Sequence, residues 1–172
     1  MLNPKVQDAL NAQINAEFFS AYLYLSMAQH FKAEGFSGIA NWFSVQFKEE
    51  QAHAEIFMNY VNSRGGRVVL KAIDAVPTKW ENPMDAFQAT LAHEQTVTAS
   101  INNLYKIATD ENDYATRDRL NWFITEQVEE EDNCRTLIDK LKLIGDNGMG
   151  MYMLDNELAT RTYTAPSILA AE

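Results

Sequence analysis

Apolar side chains recur along most of this chain at alternating intervals of three and four residues, the spacing that lines them up on one face of an α-helix. Four long segments carry the pattern. Gly occurs only 7 times and Pro 4 times, clustered between those segments. Asn3-Pro4, an N-cap followed by proline at the first helical position, predicts a helix running to about Glu34, before Gly35. A second spans about Ser37 to Arg64 and stops at Gly65-Gly66. Asn82-Pro83 opens a third, where Asp85 complements the helix dipole, and it continues to about Thr109. The fourth runs from Asp113 to Ile144 and ends at Gly145. A short fifth fits Asn147 to about Thr160, and the tail over 161–172 has no strong pattern.

Each long helix shows one seam. It reads Leu10, Ile14, Glu17, Ala21, Tyr24, Ala28, Phe31 in the first helix and Ile39, Phe43, Gln46, Glu50, His53, Phe57, Tyr60 in the second. The third gives Phe87, Leu91, Glu94, Thr98, Ile101, Tyr105, Ala108, and the fourth Leu120, Phe123, Gln127, Glu130, Cys134, Leu137, Leu141, Ile144. Four seams predict an all-α, four-helix bundle over about residues 3–145, within a single domain spanning 1–172. The first and third junctions are short and force antiparallel neighbours. The middle one, Gly65 to Glu81, has 17 residues. Extended, it reaches ~55 Å, against ~40 Å for a helix of that length class. It predicts one long crossover that makes the second and third helices parallel. Tyr22, Leu25 and Trp42 fall off the seams, so they are expected to be exposed and are candidates for an interface.

Composition narrows the function. With 14 Lys+Arg against 24 Asp+Glu, the formal net charge is -10, and no basic cluster exists to neutralise phosphates, which excludes nucleic acid as a partner. The lone Cys134 permits no intrachain disulfide and no cysteine-ligated cluster, and its seam position reads as a small buried hydrophobe. No signal-peptide pattern opens the chain, and no apolar run approaches the roughly 18 residues of a membrane span. A cytoplasmic location is expected.

The seams carry an unusual polar layer. Glu17, Glu50, His53, Glu94, Gln127 and Glu130 occupy core positions near the middle of their helices, so four carboxylates, one imidazole and one amide meet at one level of the bundle. Glu50 and His53, like Gln127 and Glu130, are three residues apart and leave the same helical face. Any single buried glutamate has a bland explanation as a misplaced surface residue. Four at one level repel one another and lose hydration, and cations or protons must neutralise them. Two divalent cations balance four carboxylates. Hard oxygen donors with one nitrogen favour iron or manganese, with zinc as a competitor. Di-metal carboxylate bundles usually carry two Glu-x-x-His pairs. Here the second pair is Gln127-x-x-Glu130, which predicts two inequivalent metals.

On these motifs the sequence resembles the non-haem bacterial ferritins over essentially its whole length. The resemblance implies a first iron site of Glu17, Glu50 and His53, and a second of Glu50, Glu94, Gln127 and Glu130, with Glu50 bridging. It also implies a third iron beside them, at Glu49, Glu126, Glu129 and Glu130. Tyr24 matches the family's tyrosine next to the ferroxidase centre and Trp122 its neighbouring tryptophan. The activity implied is oxidation of Fe(II) by oxygen or hydrogen peroxide and storage of ferric mineral inside a homo-oligomeric shell of 24 subunits. Bacterioferritins place a haem-ligating Met after the second helix's Glu, where this chain has Gln51, and a His in the position of Glu130, so no haem is expected. Rubrerythrins need a cysteine-rich module that one cysteine cannot build.

Other residues read more plainly. Five of the seven residues from Glu126 to Asp132 are acidic. Glu131 and Asp132 fit a solvated face equally well, whereas Glu126, Glu129 and Glu49 flank the core pair. Tyr24 lies a heptad from Glu17, where it either packs or serves the site. His30 and His93 have no partner at ligand spacing and read as surface or packing residues. Met149, Met151 and Met153 are soft donors unsuited to this chemistry and read as packing or subunit contacts. Two rivals stay open at this point. A di-iron oxygenase or peroxidase would need a substrate pocket among Ile14, Ala21, Phe57 and Phe123, and a helical interaction module would need no metal.

Overall fold

A computed structural model describes residues 2–169. Five helices form, with no strand among the described residues: α1 (Pro4–Ala33), α2 (Ser37–Ser63), α3 (Pro83–Asp110), α4 (Tyr114–Ile144) and α5 (Gly148–Leu158). Their ends follow the expected capping chemistry. Asn3 Oδ1 accepts from Lys5 N, Asn82 Oδ1 from Asp85 N, Asp113 Oδ1 from Thr116 N and Asn147 Oδ1 from Gly150 N, at 2.9–3.0 Å. The fifth helix is shorter at its C-terminus than its composition predicts.

The long crossover lies along α1. Asn11 exchanges two hydrogen bonds with it, donating to the Arg67 carbonyl at 3.0 Å and accepting from Val69 N at 2.8 Å. Further along, Ser26 donates to the Pro77 carbonyl at 2.7 Å and His30 to the Trp80 carbonyl at 3.0 Å. Crossover residues 67–80 thus ascend α1 from Asn11 to His30, a climb of ~28 Å. The chain leaves α2 at one end of the bundle and enters α3 at the other, so these helices are parallel. At the far end, Arg64 grips Asp113 with both terminal nitrogens at 3.0 and 3.1 Å, bringing the end of α2 to the start of α4.

Two apolar clusters fill the two ends. One gathers Tyr24, Phe31, Phe43, Phe87 and Leu141 with α5's Leu154. The other gathers Leu10, Ile14, Phe57, Ile101, Leu120 and Phe123. Between them lies the polar layer. Every seam residue of α1 and α2 is buried. In α3 the inward stripe is rotated slightly from its sequence reading: Thr90, Val97 and Leu104 are buried, while Leu91, Thr98 and Tyr105 are only half-buried. Both stripes share Phe87, Glu94, Ile101 and Ala108, so the polar position is unaffected.

Trp42 departs from expectation. It is buried, not exposed, because its ring packs edge-on against Phe43 and Phe87 while the Arg161 guanidinium lies 4.8 Å above its centroid. Tyr22 is exposed as expected and Leu25 is half-buried.

Candidate metal centre

Glu17, Glu50, His53, Glu94, Gln127 and Glu130 are all buried. Glu17, Glu50 and His53 each present a ligand atom within 4.8 Å of the other two, close enough for one cation to touch all three. The helices dictate this. Glu50 and His53 sit three apart on α2, with His53 Nδ1 3.6 Å from Glu50 Oε2, and α1 lays Glu17 against them. Gln13, one turn before Glu17, donates to Glu17 Oε1 at 2.8 Å and accepts from the Ser100 hydroxyl at 2.6 Å, tying α1 to α3.

The other half comes from α3 and α4. Gln127 Nε2 donates to Glu94 Oε2 at 3.0 Å and to the Glu94 carbonyl at 3.3 Å, which leaves Gln127 Oε1 as its possible metal donor. Tyr24 donates its hydroxyl to Glu94 Oε1, so the residue a heptad from Glu17 reaches the site through the second half. Gln46 Nε2 holds Glu130 Oε2 at 2.8 Å. Polar side chains thus fix three of the four core carboxylates.

Crowding and burial set their protonation. Loss of hydration, then the neighbouring Glu50 charge, holds the Glu17 carboxyl well above the usual carboxylate range. Burial, then the charges of Glu94 and Glu130, does the same to Glu50, and burial with Glu94 pushes Glu130 up to about 8. The Tyr24 hydroxyl is raised well above its usual value, first by burial and then by Glu94. Without cations, this layer holds protons.

The donor set fits divalent cations of the iron and zinc type. His53 Nε2 is buried without a hydrogen-bond partner, and so is Gln46 Oε1. Uncompensated polar atoms in a core are costly and call for a ligand.

The flank is less uniform. Glu126 is half-buried with Oε1 3.9 Å from His53 Nε2, and Glu129 is exposed beside it. Glu49 is half-buried and ion-paired at 2.7 Å with Arg161, in the tail that carries no sequence pattern. Trp122 turns its ring edge-on to His53 at 5.5 Å. His93 packs, bonding Ser20 at 2.8 Å and meeting Tyr24 edge-on, and Cys134 is fully buried. Sequence reasoning passed over Gln13, Gln46 and Arg161. Gln46 gave a signal, a polar residue on an apolar seam one turn before Glu50; Gln13 lies beside its seam, and Arg161 gave none.

Comparison with known proteins points the same way. A ferritin-like domain matches residues 7–144. The chain is 42% identical over 161 residues to the bacterial non-heme ferritin of Bacteroides fragilis, covering 94% of this chain and 100% of that one. It is 40% identical over 163 residues to that of Staphylococcus aureus, covering 95% and 98%. An engineered closed form of the Archaeoglobus fulgidus ferritin superposes with a TM-score of 0.94 at 44% identity, covering 95% of this chain and 100% of that one. The open-pore ferritin of the same archaeon gives 0.93 at 44% identity, with 94% and 100% covered. A crossover bundle with a buried carboxylate layer, matched at this level over nearly its full length, belongs to the ferritin family, among its bacterial non-haem members.

Proposed function

We propose that this protein is an iron-storing ferroxidase whose substrate is Fe(II), bound as a pair in the central layer. Glu17, Glu50 and His53 hold one ion. Glu50, Glu94, Gln127 and Glu130 hold the other, with Glu50 between them. Two Fe(II) carry four positive charges against four carboxylates, and their arrival displaces the protons those carboxyls hold. Each ion gives up one electron. With molecular oxygen the balance is 2 Fe(II) + O2 + 2 H+ giving 2 Fe(III) + H2O2; hydrogen peroxide as oxidant takes two electrons and two protons to give two waters. Oxidation raises the charge to six, which four carboxylates no longer match, so the ferric product hydrolyses and moves on to mineral inside a shell-like oligomer, of 24 subunits by family resemblance.

The observation that carries this reading is the buried Glu17–Glu50–His53 triad, whose ligand atoms all lie within 4.8 Å of one another. The packing around it disfavours an organic substrate. Ile14, Phe57 and Phe123 belong to one buried cluster, with the two phenyl rings stacked at 4.0 Å, and Ala21 is buried. Small reactants suit such a site.

Replacing both Glu50 and His53 by Ala should abolish rapid Fe(II) oxidation while the helices stay folded, because apolar groups in place of buried charges are tolerated. Circular dichroism checks the fold and stopped-flow absorbance the rate. Wild-type rates in the double variant would sink the assignment. Native mass together with irons bound per subunit separates storage, with many irons in a large assembly, from an oxygenase holding two.

A further inference from the structure

Beyond α5 the chain does not wander. Asn41 Nδ2 donates to the carbonyls of Leu158 and Arg161 at 3.1 and 2.9 Å, fixing where the tail begins. Tyr163 lies within the field of Glu49 and Glu55, and Leu169 lines a cleft with Asn59, Asn62 and Arg119. From Arg161 to Pro166 the chain has no helix or strand and then closes in a turn, with Leu169 N donating to the Pro166 carbonyl at 3.0 Å. From Trp42 to Asn59 the helix rises ~26 Å. Anchored near Asn41 and Glu49 at its start and beside Asn59 and Asn62 at Leu169, the tail is a strap that runs along α2 in the same direction and crosses the level of the metal centre.

Its first side chain is anchored there. Arg161 Nη2 donates to Glu49 Oε2 at 2.7 Å, Nη1 donates to the Trp42 carbonyl at 3.3 Å, and the guanidinium stacks over the Trp42 ring at 4.8 Å. Glu49 is one of a group: its carboxyl also feels His53 and Glu126, and Glu130 feels Glu49. His53, 2% exposed, directs its unpartnered Nε2 to within 3.9 Å of Glu126 Oε1. The flank thus has carboxylates, a buried nitrogen lacking a partner, and one cation already in place, supplied by the chain.

We infer that Arg161 is the resident counter-ion of this acidic flank and that a divalent cation settling among Glu49, Glu126 and Glu130 displaces it, so that the C-terminal strap sets how strongly the flank holds Fe(II). A guanidinium in contact with Glu49 occupies one of the oxygens the incoming ion needs and repels it as a like charge. Displacement costs the ion pair and the stack on Trp42, and Asn41 keeps the strap's backbone close enough for the guanidinium to return. The inference rests on the proposed Fe(II) reading of the central pair. Arg161 is a positioning residue, since it touches the ligand side chain and not the metal.

The test is calorimetric titration of the metal-free protein with Zn(II), which reports binding without oxidation. Wild type should show two tight events and a weaker third. Arg161→Gln should tighten the third roughly tenfold and leave the first two unchanged. In an Glu49→Gln background the same substitution should do nothing. Arg161→Lys keeps the charge but loses the fork and the stack, so it should tighten the third event by about threefold and guards against a Gln variant that fails to fold. A third event that is absent, or equally weak in every Arg161 variant that folds, overturns the inference while leaving the central pair standing. Absence of the two tight events overturns the Fe(II) reading itself.

Discussion

Tyr24 shows how closely single atoms are matched in the polar layer. Its hydroxyl is buried and donates to Glu94 Oε1, while Gln127 serves Oε2. Tyr24→Phe leaves one carboxylate oxygen without a donor, which should cost the metal-free protein about 1–3 kcal/mol. Zn(II) should shrink that loss, because a cation then satisfies Glu94. Urea unfolding with and without Zn(II) measures both, and an equal loss in the two conditions would count against Glu94 as a ligand. Residues of this kind are legible in sequence when they interrupt an apolar seam, which is how Glu17, Glu50, His53, Glu94, Gln127 and Glu130 stand out. Gln13 escapes because it flanks the seam, and Arg161 because a patternless tail offers no periodicity from which to infer a face. Trp42 misled for a related reason: what covers it is a segment some 119 residues away in sequence.

At the scale of elements, α5 completes α2. No side chain of α2's own N-terminal junction caps it, and Asp155 Oδ1 instead accepts from Gly38 N and Ile39 N, both at 2.9 Å. The contact requires a bare backbone, since a Cβ on Gly38 would lie 1.6 Å from the Asp155 carbonyl oxygen. Gly38→Ala should therefore push α5 off, expose α2's first amides and lower stability by about 1–3 kcal/mol. Hydrogen exchange should show lost protection over 148–158 with the four long helices intact; full protection there would contradict the docking. Helix number, order and ends were readable from caps, glycines and period. The rotation of α3 was not, because the adjacent pairs Thr90/Leu91, Val97/Thr98 and Leu104/Tyr105 fit the period equally and packing against the neighbouring helices decides between them.

For the whole molecule, the carboxylate layer ties stability to pH. Glu17, Glu50 and Glu130 titrate higher folded than unfolded, so the folded state binds the extra protons. Their stabilising contribution is complete below the ordinary value of 4.5 and is lost as pH rises through the folded one, about 8 for Glu130. The melting temperature of the metal-free protein should fall across that window, Glu130→Gln should flatten its upper part, and Zn(II) should cancel the fall. A metal-free melting temperature that climbs with pH there would refute the assignment. The crossover has a different consequence, for how the chain comes together. It separates two helical hairpins, and each holds half of the donors: Glu17, Glu50 and His53 in α1–α2, Glu94, Gln127 and Glu130 in α3–α4. Such hairpins rest on contacts near in sequence and form early, whereas their mutual docking closes the longest loop and comes last. The proposed metal pair would sit on that final interface. A chain nicked in the exposed stretch 70–75 should yield two fragments that reassociate. Divalent cations should speed or tighten their union, so that the proposed substrate would also be the clasp that joins the halves.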